Sequence, residues 1–213
     1  MLNCQEIKFG MHICNIYRDK TEQLSVLIPY LAAGLKQGEK CIYIFEDITP
    51  DQICGMLAAS GIDTKSALSR KQLVFLSFND TYLADGYFSG LRMLDAIQEL
   101  HFEALMAKFS GVRGAGEMGW HLSVPPGASS LIEYENNINS IVPKLRFISL
   151  CQYDETRHKQ DTLLGVLHTH PEAVIYGNRY SNPHYIMPSL FQEKFRQHEG
   201  TGIYAQLRDR VIQ

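Results

Sequence analysis

Arg113-Gly114-Ala115-Gly116-Glu117-Met118-Gly119-Trp120 brings together a guanidinium, a carboxylate and the only tryptophan of the chain, separated by three glycines. Glycines let a backbone approach a ligand closely, Arg113 can pair an anion or stack, Glu117 can pair a cation, and Trp120 offers an apolar wall. The segment is expected to be a loop forming a pocket wall. The competing arrangement is an Arg–Glu ion pair with the tryptophan as core filler.

Four further groups carry chemistry. In residues 11–17 (MHICNIY), period-two geometry places His12 and Cys14 on one face of a strand and Asn15 and Tyr17 on the other. Two potential ligands are too few for a metal site, so a buried thiol beside a hydrogen-bonded histidine is the simpler reading. Glu46-Asp47 follows an apolar run directly, where a carboxylate can act as a base or close a turn. Gln152-Tyr153-Asp154 ends another such run, with Gln152 and Tyr153 suited to a polar contact. His168-Thr169-His170-Pro171 sets two histidines beside a helix C-terminus, where they complement the dipole more readily than they hold a metal.

Asp19-Lys20-Thr21 lies where the first strand turns into the first helix. A phosphate-binding loop needs GxxxxGK[ST], and the two glycine positions are held here by Cys14 and Asp19. Side chains obstruct the nest of N–H groups, and the Asp19 carboxylate repels phosphate. Asp19, Lys20 and Thr21 therefore read as a degenerate phosphate loop. No GxSxG elbow or local Cys–His pair supports nucleophilic catalysis, so no catalytic residue is assigned.

These residues are carried on an alternation of strands and helices. Apolar runs at 11–17, 41–45, 72–77, 109–113, 146–153 and 173–176 read as strands, the fourth weakly. Helical spacing appears at 21–35, 50–61, 87–106, 128–142 and 160–167, and Pro125-Pro126-Gly127 breaks the chain before the fourth helix. Apolar strands alternating with helices predict an α/β fold, a mostly parallel sheet flanked by helices on both faces, with ligands at the strands' C-terminal edge. The alternation stops after residue 177. A short polar helix over 189–198 and a final helical stretch follow, so residues 1–180 are expected to form the domain and 181–213 an extension that packs on it or acts as a linker.

With 213 residues, 45% of them hydrophobic and a net charge of −3, the chain suits one domain without a field that attracts nucleic acid or an anionic membrane. Five scattered cysteines without a CxxC pair favour a reducing setting. No signal peptide or apolar run of membrane length is present, so a soluble, cytoplasmic protein is expected, and a homo-oligomer is compatible with this reading.

The same features in order resemble a known family, the MEDS domain (methanogen/methylotroph DcmR sensory domain). The resemblance rests on His12-Ile13-Cys14 with Tyr17, on Leu31 to Ile44 (LAAGLKQGEKCIYI), on Arg113 through Glu117 to Trp120, on Cys151-Gln152-Tyr153-Asp154, on His170-Pro171, and on Asn182-Pro183-His184-Tyr185. It implies a RecA/KaiC-like three-layer sandwich in a prokaryotic, non-enzymatic sensory domain. That domain would detect a small hydrocarbon derivative, a one-carbon or a methylated or halogenated compound, and signal to a protein partner or transcription regulator. The expected ligand lining at the sheet edge is His12, Cys14, Tyr17, Glu46, Arg113, Glu117, Trp120, Gln152 and Tyr153, with no cofactor and no metal. The alternative is a divergent RecA/KaiC-like nucleotide-binding ATPase using Lys20, Thr21 and Glu46. Only eleven residues precede His12, too few for a DNA-binding helix-turn-helix, so a stand-alone sensory domain is expected.

Overall fold

In the computed structural model, which describes residues 7–122, 128–191 and 203–212, the opening apolar run forms β1 (His12–Tyr17), with all six residues buried. Asp19 then caps α1 (Lys20–Lys36) by accepting from the Glu22 N–H. Gly38, at φ +72, turns the chain into β2 (Lys40–Phe45). Thr49 and Gln52 form a capping box around Pro50 to start α2 (Pro50–Ala59). A short α3 (Thr64–Ser69), capped by Asp63, leads to β3 (Leu73–Ser77). Beyond it come α4 (Gly90–Met106), β4 (Val112–Glu117), α5 (Ala128–Ile141), β5 (Phe147–Asp154), α6 (Gln160–Thr169) and β6 (Glu172–Ile175).

With a seventh strand, β7 (Asn178–Ser181), the sheet runs in the order β3-β2-β4-β5-β1-β6-β7, all parallel except the last pair. One face packs on α1 and α2 around Ile13, Tyr43, Ala115 and Leu150. The other packs on α4, α5 and α6 around Cys14, Val112, Phe147 and Tyr153. This is the expected three-layer α/β arrangement. The Pro125-Pro126-Gly127 break and most of the expected helix over 189–198 lie outside the described residues.

Three elements differ from expectation. The fourth strand spans Val112–Glu117 rather than 109–113, so Arg113 to Glu117 is a central strand and not a loop. The two glycines of this strand face Phe147 and Tyr82, where a Cβ would come within 2.9 and 2.4 Å of those rings' outer atoms. Packing from both faces outweighs their poor strand propensity. The strand–helix alternation does stop after residue 177, but one further strand follows that was not expected. Tyr176 (φ 51) and Gly177 (φ 81) form a two-residue turn with both φ positive, and β7 (Asn178–Ser181) folds back antiparallel on β6. Finally, α3 was not legible, being a single capped turn and a half with little periodicity. At the C-terminus, α7 (Tyr204–Ile212) packs against α6, and Tyr204 and Arg208 both bind Glu155.

Candidate functional site

Strand parity divides the nine expected lining residues between the two faces of the sheet. His12, Cys14 and Tyr153 point toward α5 and α6, whereas Tyr17, Arg113, Glu117 and Gln152 point toward α1 and α2. Glu46 lies just past β2, and Trp120 lies in a 3-10 turn (Gly119–Leu122) after β4. They do not converge on one pocket.

On the α1 side the polar residues mostly satisfy one another. Arg113 is fully buried and binds Glu39 through Nε at 2.5 Å and Nη2 at 3.1 Å, while Nη1 donates to the Tyr30 carbonyl. Its partner is thus Glu39 and not Glu117. The Glu117 carboxylate accepts from the Tyr43 hydroxyl and from the backbone N–H groups of Glu46, Asp47 and Ile48, so it holds the loop after β2. Burial nevertheless pushes the Glu117 carboxyl above its usual range. Burial also raises Glu46, whose Oε1 meets Arg157 at 3.3 Å. Asn15 and Gln152, adjacent on β1 and β5, are buried; the Asn15 side-chain amide makes no hydrogen bond among the described residues, and the Gln152 amide lies beside the Tyr43 hydroxyl.

At the first turn, two carboxylates bind backbone N–H groups of their own segment. Asp19 accepts from the Glu22 N–H, and Glu22 reaches back to the Arg18 backbone N–H at 2.9 Å and to its guanidinium. Lys20 and Thr21 are exposed at the start of α1. The two carboxylates thus take the backbone N–H groups of Glu22 and Arg18, two of the donors of this turn.

The α5–α6 side holds a compact cluster. His12 Nε2 lies 3.0 Å from Glu135 Oε2, Cys151 Sγ lies 3.5 Å from His12 Nε2 and 3.6 Å from Glu135 Oε2, and His170 Nε2 lies 3.5 Å from Glu135 Oε2. Tyr153 donates to Glu135 Oε1 at 2.5 Å. The four donor atoms lie within 4.8 Å of one another, a set that can hold a metal ion. Burial raises Glu135, but His12, His170 and Tyr153 more than offset it and hold the carboxyl below its usual range. Burial, reinforced by His12, lowers His170 to about 3, and burial followed by Glu135 pushes the Cys151 thiol well up. Sequence reasoning found His12 and Tyr153 but missed Glu135, Cys151 and the part played by His170. A signal for Glu135 was present: it stands three and four residues from Ile132 and Leu131, on the apolar stripe of its helix. His168 does not join His170; its Nδ1 meets the His184 carbonyl at 2.9 Å.

Beside the cluster lies a cavity of about 50 Å³ lined by Ile42, Tyr82, Met93, Ala96, Gly116 and Cys151, among others. Gly114 and Gly116 line the sheet face here, where Phe147 and Tyr82 pack closely on them, and α4 forms the roof. Trp120 stacks on Tyr82 at 4.9 Å between centroids and contacts Phe88 at 4.4 Å, backing the cavity wall.

The same aromatic group borders His121, whose ring lies 4.9 Å from that of His158. Burial, reinforced by His158, lowers His121 from 6.5 to about 4. Between those values the unfolded chain binds more protons, so stability is complete above pH 6.5 and falls as pH drops, by up to about 1.4 kcal/mol per pH unit. Urea unfolding from pH 7 to 4 should show a shallower acid decline for His121→Phe. An identical decline in that variant contradicts the assignment.

Residues 11–171 match the family described as MEDS: MEthanogen/methylotroph, DcmR Sensory domain. The transcriptional repressor DcmR of Methylorubrum extorquens (strain DSM 6343 / CIP 106787 / DM4) is 28% identical over 172 residues, which cover 80% of this chain and 62% of that protein. The chain thus spans less than two thirds of that relative's length. Among solved structures, a Pyrococcus horikoshii protein crystallised with an unknown peptide superposes with a TM-score of 0.60 at 15% identity, covering 81% of this chain and 80% of the other. The KaiC-like protein PH0186 of Pyrococcus horikoshii OT3 gives 0.54 at 10%, covering 78% and 71%, and the flagellar accessory protein FlaH of Methanocaldococcus jannaschii gives 0.56 at 8%, covering 81% and 76%. At such identities the likeness concerns the fold, which is RecA/KaiC-like. No helix among the described residues is long and apolar enough to cross a membrane. The match over residues 11–171, joined to this fold, makes the chain a member of the MEDS family of sensory domains.

Proposed function

We propose that the domain is a non-enzymatic sensor that binds a small, largely apolar molecule of the one-carbon, methylated or halogenated class in the cavity under α4, and signals to a partner protein or regulator. The observation that carries this reading is the cavity itself, floored by Gly114 and Gly116 and walled by aliphatic and aromatic side chains. Its volume of about 50 Å³ exceeds the roughly 10–15 Å³ a single water needs and suits a ligand of a few heavy atoms. Cys151 and Ser149 supply polar atoms at one wall. Family membership supports the sensory role, and the repressor relative supports a regulatory output. The occupied first turn of α1 favours this reading over a nucleotide-binding ATPase.

Affinity is bounded by ligand size. At about 1.5 kcal/mol per heavy atom at best, a three-atom ligand such as dichloromethane binds no tighter than about 0.5 mM. Such a ligand acts by favouring one of two states of its surroundings. The roof is the element best placed to report occupancy, because α4 lines the cavity with Met93, Ala96 and Ile97 and exposes Leu91, Phe102 and Met106 outside.

The test is an NMR titration of the full chain with dichloromethane. Saturable shifts should appear at Tyr82, Ile97 and Cys151 with a dissociation constant of about 1 mM. The variant Ala96→Leu fills the cavity from a half-buried helix position and should weaken binding by about tenfold or more. Calorimetry with Mg-ATP should show no heat beyond dilution. Shifts that never saturate, equal binding by Ala96→Leu, or tight ATP binding lost in Lys20→Ala would each overturn the reading.

A further inference from the structure

We propose that His12, Glu135, Cys151 and His170 form a binding site for a divalent transition-metal ion of the zinc type. This rests on a different observation from the cavity and stands without it. The set contains two imidazoles, a thiol and a carboxylate, the donor types zinc takes in closed tetrahedral sites. Bond lengths of about 2.0–2.3 Å to a central tetrahedral ion require donor–donor edges of about 3.3–3.6 Å. The four measured edges are 3.0, 3.5, 3.5 and 3.6 Å, and the two others are no longer than 4.8 Å.

The hydrogen bonds around the cluster orient its donors inward. Asn139 Nδ2 donates to the backbone carbonyls of Thr169 (2.6 Å) and Glu135 (3.2 Å), which turns its Oδ1 toward His12 Nδ1 at 3.1 Å. That nitrogen therefore carries a proton, and His12 Nε2 faces the cluster, where it binds an ion after releasing any proton it shares with Glu135. His170 repeats the arrangement, with Nδ1 donating to the Val166 carbonyl at 2.8 Å. Its Nε2 is fully buried and makes no hydrogen bond within the described residues, although it lies 3.5 Å from the Glu135 carboxylate. Two imidazole Nε2 atoms thus converge on an anionic oxygen and a sulfur in a site without solvent. Such a site is stabilised by a cation at its centre.

The surrounding hydrogen bonds are those a metal centre uses. Each ligand histidine donates its outer N–H to an oxygen, and Tyr153 binds the second carboxylate oxygen of Glu135. With the ion bound, the Cys151 thiol releases its proton to become thiolate. Cys151 is also the one ligand that lines the cavity, which offers a route for the ion into an otherwise closed cluster.

Co²⁺ serves as a spectroscopic stand-in for Zn²⁺ in a test on the full chain, freed of metal by chelation. Uptake of about one ion per chain is expected, with the strong visible bands of tetrahedral Co²⁺ and a near-ultraviolet thiolate-to-cobalt band. Cys151→Ser should lose the thiolate band, and His170→Ala should bind about 100-fold more weakly or worse. Cys54→Ser, a half-buried thiol on α2, should match the parent protein. No stoichiometric uptake by folded protein, uptake without the thiolate band, or a thiolate band that persists in Cys151→Ser would overturn the site. Should Cys151→Ser or His170→Ala fail to fold, the spectrum of the parent protein decides.

Discussion

Replacing Glu39 with alanine should destabilise the domain by about 3–5 kcal/mol, because it leaves the Arg113 guanidinium buried without its carboxylate. Arg113 has no exposed surface, and its remaining contacts are the Tyr30 carbonyl, the Tyr30 ring at 4.9 Å and a long bond to Gln37. None of these neutralises it. The double variant Glu39→Leu/Arg113→Met removes both charges and should recover most of the loss, since a buried ion pair often contributes little against a well-packed apolar pair. Urea unfolding monitored by circular dichroism measures both. An unchanged midpoint for Glu39→Ala would show that Arg113 is not held as described and would return it to the set of ligand contacts.

A second large effect is expected at Glu117. Its carboxylate is the acceptor for three successive backbone N–H groups, those of Glu46, Asp47 and Ile48, and for the Tyr43 hydroxyl. Glu117→Ala strands these donors. At about 1–3 kcal/mol for each buried donor left without a partner, and less for the exposed Asp47, the loss should reach about 3 kcal/mol or more. Glu117→Gln keeps one accepting oxygen and should lose about half as much. Hydrogen exchange at Asp47 and Ile48 should accelerate in parallel, since the loop after β2 loses its anchor. If Glu117→Ala kept full stability but lost dichloromethane binding, Glu117 would be a ligand contact and not a loop anchor.

Both predictions concern residues that the sequence marks as chemically unusual. Arg113 and Glu117 beside three glycines read as a pocket wall, because polar residues among glycines commonly form ligand loops. The structure makes the same segment a central strand. Alternation then sends Arg113 and Glu117 to one face and Gly114 and Gly116 to the other, where they line the cavity. The charges and the space they were thought to border lie on opposite sides of one strand.

Most of the architecture was determined by local sequence. Apolar runs of strand length, caps such as Asp19 and Thr49, and glycines at helix ends place most of the elements and predict the parallel, two-sided sheet, because periodicity and capping act within a few residues. The motif order also carries the family, and the missing glycines of the first turn argue against phosphate binding. Only the tertiary structure decided which polar residues meet. His12, Glu135, Cys151 and His170 come from one helix, two strands and a helix end, separated by up to 158 positions, and nothing in local spacing links them. Their convergence follows from strand order and helix packing, which place β5 beside β1 and lay α5 and α6 over both. The chain sequence specifies which donors exist, and the crossing of its layers specifies which of them share a centre.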